Sequence, residues 1–60
     1  MFKNREVNGS WHQIEKVRNG FYEVRIRAGV TLIAKHLFDS GREAHRAYRL
    51  SAETFINRYC

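Results

Sequence analysis

Phe21-Tyr22-Glu23-Val24-Arg25-Ile26-Arg27 decides the fold class. From Tyr22 onward it alternates, with Tyr22, Val24 and Ile26 pointing one way and Glu23, Arg25 and Arg27 the other. Successive side chains of a strand face opposite sides, so this is the pattern of a half-buried strand in an antiparallel sheet. Immediately upstream stands Asn19-Gly20, a strong short hairpin signal because both residues tolerate positive φ. The preceding strand is Trp11 to Arg18. Downstream, Ala28-Gly29 marks a second turn, and Val30 to Leu37 is a third strand rich in branched apolar residues.

Beyond Leu37 the period changes. Ser40-Gly41-Arg42-Glu43 reads as a capping box, in which the serine hydroxyl caps a helix and the glutamate reaches back. Behind it, Ala44, Ala47, Tyr48, Ser51, Ala52, Phe55 and Tyr59 recur at helical spacing, while Arg42, Arg46, Arg49 and Glu53 fall on the opposite face. Ser51-Ala52-Glu53-Thr54 is a second N-cap candidate, which leaves open whether the helix runs through Leu50 or breaks there. The expected fold is α+β: a three-stranded antiparallel β-meander with one C-terminal helix packed on one face (β-β-β-α), over residues 11–60. Residues 1–10 read as a polar N-terminal arm, with a short strand as the alternative, ending in the turn Asn8-Gly9-Ser10. The expected core is Ile14, Tyr22, Val24, Ile26, Leu32, Phe38, Ala44, Tyr48 and Phe55. The other face of the sheet has no second layer, and in so short a chain it is the natural binding surface.

Length and composition narrow the function. Sixty residues make one domain, and a domain of this size buries only about 60% of its unfolded surface, so its core is thin. Cys60 is the only cysteine, which rules out an intrachain disulfide, and it does not stand at the prenylation position. No stretch approaches a membrane-spanning length of apolar residues, and the first ten residues contain no signal-peptide core, so an intracellular protein is expected. His12, His36 and His45 are not at metal-site spacing and read as surface or edge histidines; no metal or other cofactor is expected. A small sheet with one helix offers little concavity, so no enzymatic activity is expected.

Charge supplies the first functional pointer. Eleven Lys and Arg face six Asp and Glu, for a net charge of +5, and arginine outnumbers lysine eight to three. Such an excess attracts polyanions, and the planar arginine fork favours phosphates and base edges.

Phe38-Asp39-Ser40-Gly41-Arg42-Glu43-Ala44-His45-Arg46-Ala47-Tyr48-Arg49-Leu50-Ser51-Ala52 resembles the helix segment of the ethylene-response-factor-type DNA-binding domains, which reads Phe-Asp-Thr, Glu-Ala, Ala-Tyr and Ala-Ala at the same offsets. Related domains occur in phage homing endonucleases and, more distantly, in integrase arm-binding domains. Gly20 to Arg27 also fits the family's second strand without a gap, so the resemblance covers roughly residues 11–52. It implies a sheet laid in the major groove of duplex DNA. Arg27 matches a DNA-facing arginine, Arg25 stands where the plant domains usually carry glutamate, and Lys35 lies near a third contact position. Arg18, Trp11 and Lys16 complete the expected nucleic-acid-binding set. The first strand departs from the family, whose own is rich in arginine with a tryptophan just before the hairpin glycine; here the stretch is Gln13-Ile14-Glu15-Lys16-Val17-Arg18-Asn19. Glu15 and Glu23 place acids on the face meant for phosphates. A mixed-charge face suits a protein partner better, so the alternative is a small viral module that binds and inhibits a host protein, one that itself handles nucleic acid. An open sheet edge offers a third use, pairing with a second copy.

Overall fold

Asn8 and Gly9 both adopt positive φ, 52° and 87°. That is the signature of a two-residue turn whose twist matches its flanking strands. It makes the leader a strand, since Phe2–Val7 (β1) folds back antiparallel on Ser10–Arg18 (β2), with Asn4 opposite Gln13 and Val7 opposite Ser10. The computed structural model describes residues 2–60. β3 (Phe21–Ala28) and β4 (Thr31–Phe38) continue the meander, giving one four-stranded antiparallel sheet in the order β1-β2-β3-β4. Of the two readings given for the leader, an arm or a short strand, Phe2–Val7 is the strand, and it adds a fourth, edge strand to the expected three. Its apolar content was too low to show alternation, and its register is fixed by the turn instead.

The single expected helix is corrected to two. Gly41–Tyr48 (α1) and Ala52–Tyr59 (α2) are each capped by a serine, whose hydroxyl accepts the Glu43 and Thr54 backbone N–H at 3.3 and 3.2 Å. Ser51 sits at φ −66°, ψ 159°, an extended conformation that ends helical propagation. Half of the proposed capping box forms, because Ser40 accepts its bond and no returning Glu43 carboxylate bond is found among the described residues.

Both helices lie on one side of the sheet. Ile14, Val24, Ile26, Ala34 and Phe38 from the strands meet Ala44, Ala47, Tyr48 and Phe55 from the helices. Alanines along α1 let its backbone come close to the strands. α2 is held by aromatic contacts: Tyr59 lies 5.0 Å from Phe38, 5.2 Å from Phe55 and 5.0 Å from His36, between ring centroids. Two core expectations are corrected. Tyr22 is half-buried at the margin, and Leu32 is exposed on the opposite face. An irregularity opposite Ile26 and Arg27 inserts Ile33 as an extra residue, so Ala34 pairs with Ile26 but Leu32 pairs with Arg27. One inserted residue reverses the side to which the next one points.

His12, expected at the surface, is instead fully buried beneath the helices, and neither ring nitrogen makes a hydrogen bond. Burial lowers its pKa below the ordinary 6.5; the Tyr48 backbone pulls the other way without reaching hydrogen-bond geometry, and the Arg5 charge adds to the lowering. Above pH 6.5 the ring is neutral whether folded or unfolded, and stability is full. Below it the unfolded ring takes a proton that the folded ring resists, so stability falls with pH until the folded ring also titrates. The slope reaches at most about 1.4 kcal/mol per pH unit. His12→Leu is expected to remove this dependence and to add roughly 1 kcal/mol at neutral pH, by deleting unpaired buried nitrogens. Urea denaturation of both proteins at pH 7.5 and 5.5 reads it; equal pH dependence in the two would reject the assignment to His12.

Candidate interaction surface

The sheet face away from the helices is a lattice of cross-strand rows, and pairing fixes which side chains are neighbours. One row runs Phe2, Glu15, Glu23, Leu37; the next Asn4, Gln13, Arg25, Lys35; the third Glu6, Trp11, Arg27, Leu32. With strands roughly 4.8 Å apart and like-facing residues roughly 6.8 Å apart, these rows frame a surface roughly 14 Å on a side.

Arg25 stands in the middle of this face. Its guanidinium donates to Glu23 Oε1 at 2.7 Å and to Glu15 Oε1 at 3.0 Å, with a longer bond from Nε to Gln13 Oε1 at 3.4 Å. It also lies 6.0 Å from the Phe2 ring centroid. Desolvation works to lower its pKa, but the two carboxylates outweigh it and raise the value, so the charge is firmly held. Only 16% of the side chain is exposed. Arg27 donates to Gln13 Oε1 at 3.0 Å and to the Val30 carbonyl at 3.3 Å. Gln13 therefore ties both arginines to β2 through one carbonyl oxygen.

Around this paired centre stand exposed apolar groups. Phe2, Leu37 and Leu32, at three corners of the lattice, and Trp11, inside the third row, are 40–51% exposed. Within the rows, three bases (Arg25, Arg27, Lys35) balance three acids (Glu6, Glu15, Glu23). Arg18 adds one positive charge at the hairpin end, stacked 4.6 Å from the Phe21 ring centroid. The face is thus nearly neutral. The other seven bases outnumber the other three acids by four, so most of the charge of +5 lies away from it.

Of the six residues expected to bind nucleic acid, Arg25, Arg27, Lys35 and Trp11 share the open face, and Arg18 borders it. Lys16 does not join them on that face; it pairs with Tyr22 and shares the side of Ile14. Sequence reasoning missed Phe2, Leu32 and Leu37. Phe2 lay in a segment read as an arm, and Leu32 had been assigned to the core. Exposed Ile33, at the irregularity in β4, forms no cross-strand pair in this lattice.

No three His, Cys, Asp or Glu side chains group as a metal site among the described residues. His45 donates from Nδ1 to the Gly41 carbonyl at 2.8 Å, which assigns that tautomer or the protonated ring. No helix is long and apolar enough to cross a membrane. The two sheet edges are β1 and β4. Lys3 and Arg5 charge the β1 edge, a feature that opposes pairing with a second copy.

The fold and this face together define an α+β domain with an open, nearly neutral sheet surface. The chain matches no family model, no curated protein and no solved structure.

Proposed function

We propose that the protein is an interaction module that binds another protein through the open face of its sheet. One observation carries this reading: the arginines at the centre of the face are already paired with Glu15, Glu23 and Gln13, while Phe2, Trp11, Leu32 and Leu37 surround them exposed. Protein interfaces are enriched in aromatic residues and arginine at their core, and held side chains lose little entropy on docking. A phosphate backbone would meet Glu6, Glu15 and Glu23 on the same face and would have to displace carboxylates from Arg25. Inhibition of a host enzyme is one use of such a module.

A second reading, binding of duplex DNA, keeps one specific support: the surplus of four positive charges away from the open face. The resemblance of residues 38–52 to the ethylene-response-factor helix supports it too. On this reading the open face is not the principal phosphate contact.

One experiment separates the two. A photo-crosslinking amino acid is placed at Trp11, and separately at Arg49, and the protein is irradiated in a nuclease-treated lysate and with random-sequence duplex DNA at two salt concentrations. The sheet reading expects a discrete protein adduct from position 11 that Arg25→Glu/Arg27→Glu abolishes, and none from position 49. Salt-sensitive DNA adducts from position 49, with nothing from position 11, would replace it by the second reading. Phosphate contacts lower log K by about 0.9 per unit log salt for each phosphate neutralised.

A further inference from the structure

The break at residues 49–51 leaves α2 beside the start of α1, where a concavity of about 350 Å³ opens, lined by Ser40, Arg42, Glu43, Arg46, Arg58 and Tyr59. Arg42 and Arg46 stand one turn apart on α1, so their side chains share a face. Arg58 arrives from the last turn of α2. None of the three guanidinium groups is in an ion pair or a protein hydrogen bond among the described residues; both ion pairs belong to Arg25. Glu43 is the one acid in the lining, so the lining carries a net charge of +2. Three like charges around one hollow repel one another, and an anion placed among them would turn that repulsion into attraction.

We propose that this concavity binds a phosphate group. Three planar forks offer more donors than the two oxygens of a carboxylate accept, whereas the several oxygens of a phosphate can meet them bidentately. The Ser40 hydroxyl accepts the Glu43 N–H, which leaves its own O–H to donate. Tyr59 is held against Phe38 and Phe55, so it forms a fixed wall. Glu43 limits the charge the hollow tolerates and favours a phosphodiester or monoanion over a more highly charged group. This site goes beyond the sheet-face reading and does not depend on it. It deepens the nucleic-acid reading, since a nucleic-acid backbone is one source of phosphate and the free ion is the other.

The test is an amide NMR titration of the full chain with inorganic phosphate and, separately, with a short DNA duplex. Saturable shifts are expected at residues 40–46 and 58–59. Arg46→Gln and Arg58→Gln should each weaken binding roughly tenfold, as the loss of a charge-assisted hydrogen bond does. Arg49→Gln removes the same charge outside the hollow and should change the affinity for inorganic phosphate by less than about twofold, as expected of a screened exposed charge. All three positions are exposed, and unchanged melting curves would confirm that the variants fold. Phosphate binding without duplex binding supports the hollow with the free ion as its source, and removes the nucleic-acid reading. Duplex binding that Arg46→Gln and Arg58→Gln leave intact, with no inorganic phosphate binding that they weaken, overturns the hollow while that reading survives. No saturable shift with either ligand, or a weakening of inorganic phosphate binding by Arg49→Gln equal to that by Arg46→Gln, also overturns it.

Discussion

Phe55→Ala is expected to unfold the domain, or to bring it to the edge of unfolding at room temperature. Phe55 is fully buried and is the only residue of α2 that is. Truncating a buried phenylalanine costs about 3–5 kcal/mol, through lost transfer energy and the cavity left behind. A chain of 60 residues has a total stability of only roughly 3–9 kcal/mol. The same substitution removes the ring against which Tyr59 packs, and with it part of the contact between α2 and β4. Thermal melting by circular dichroism measures the effect. A midpoint lowered by less than about 10 °C would mean that α2 contributes far less than its burial indicates. Because α2 supplies Arg58 and Tyr59, phosphate binding at the interhelical hollow should disappear together with the helix.

Arg25→Met should destabilise the fold by about 1–2 kcal/mol, a charge-assisted bond's worth with a discount for partial exposure. Methionine keeps an apolar stem against Phe2 and so isolates the loss of charge. Glu15 and Glu23 are directly opposite each other across β2 and β3, and the guanidinium bonded to both is what makes that pairing tolerable. Without it two carboxylates face one another, an arrangement that costs stability in a sheet. Two checks follow from that cause. Adding Glu23→Gln should restore much of the loss, as a non-additive double-mutant cycle. Raising the salt concentration should shrink the deficit of the single variant, because the repulsion is screened. An additive cycle would mean that Arg25 acts by packing alone. The same variant bears on the proposed partner surface, where loss of a pre-paired central arginine should weaken binding by more than its effect on stability explains.

The sequence by itself determined the elements whose signals are local. Alternation from Tyr22 to Arg27 set the central strand and the two sides of the sheet. Asn19-Gly20 placed the turn before it and Ser40 the start of α1, while the turn after it falls at Gly29-Val30, one residue beyond the expected Ala28-Gly29, because Ala28 still pairs with Thr31. Arg25 and Arg27 could be assigned to one face because a strand's period is two, whereas Lys35 was set near them by the resemblance and reaches that face through its pairing with Arg25. The second cap at Ser51 was also written in the chain, but whether propagation or capping won there depended on Phe55 and Tyr59 finding Phe38 on β4.

The tertiary structure decided everything that needed a partner distant in sequence. β1 has too few apolar residues to declare itself, and it is a strand because Asn8-Gly9 returns the chain onto β2. Leu32 left the core because one inserted residue in β4 reversed its direction. His12 was drawn inside because it shares a side with Ile14. Alternation already put Glu15 and Glu23 on the arginine face, but only the return of β1 added Glu6 to it, and only the register brought Arg25 within 3.0 Å of both carboxylates. Arg58 joined Arg42 and Arg46 only because the helix breaks between them. In each case the deciding energy lies in contacts across the sheet or between helices, and a linear pattern specifies those only once its register is known.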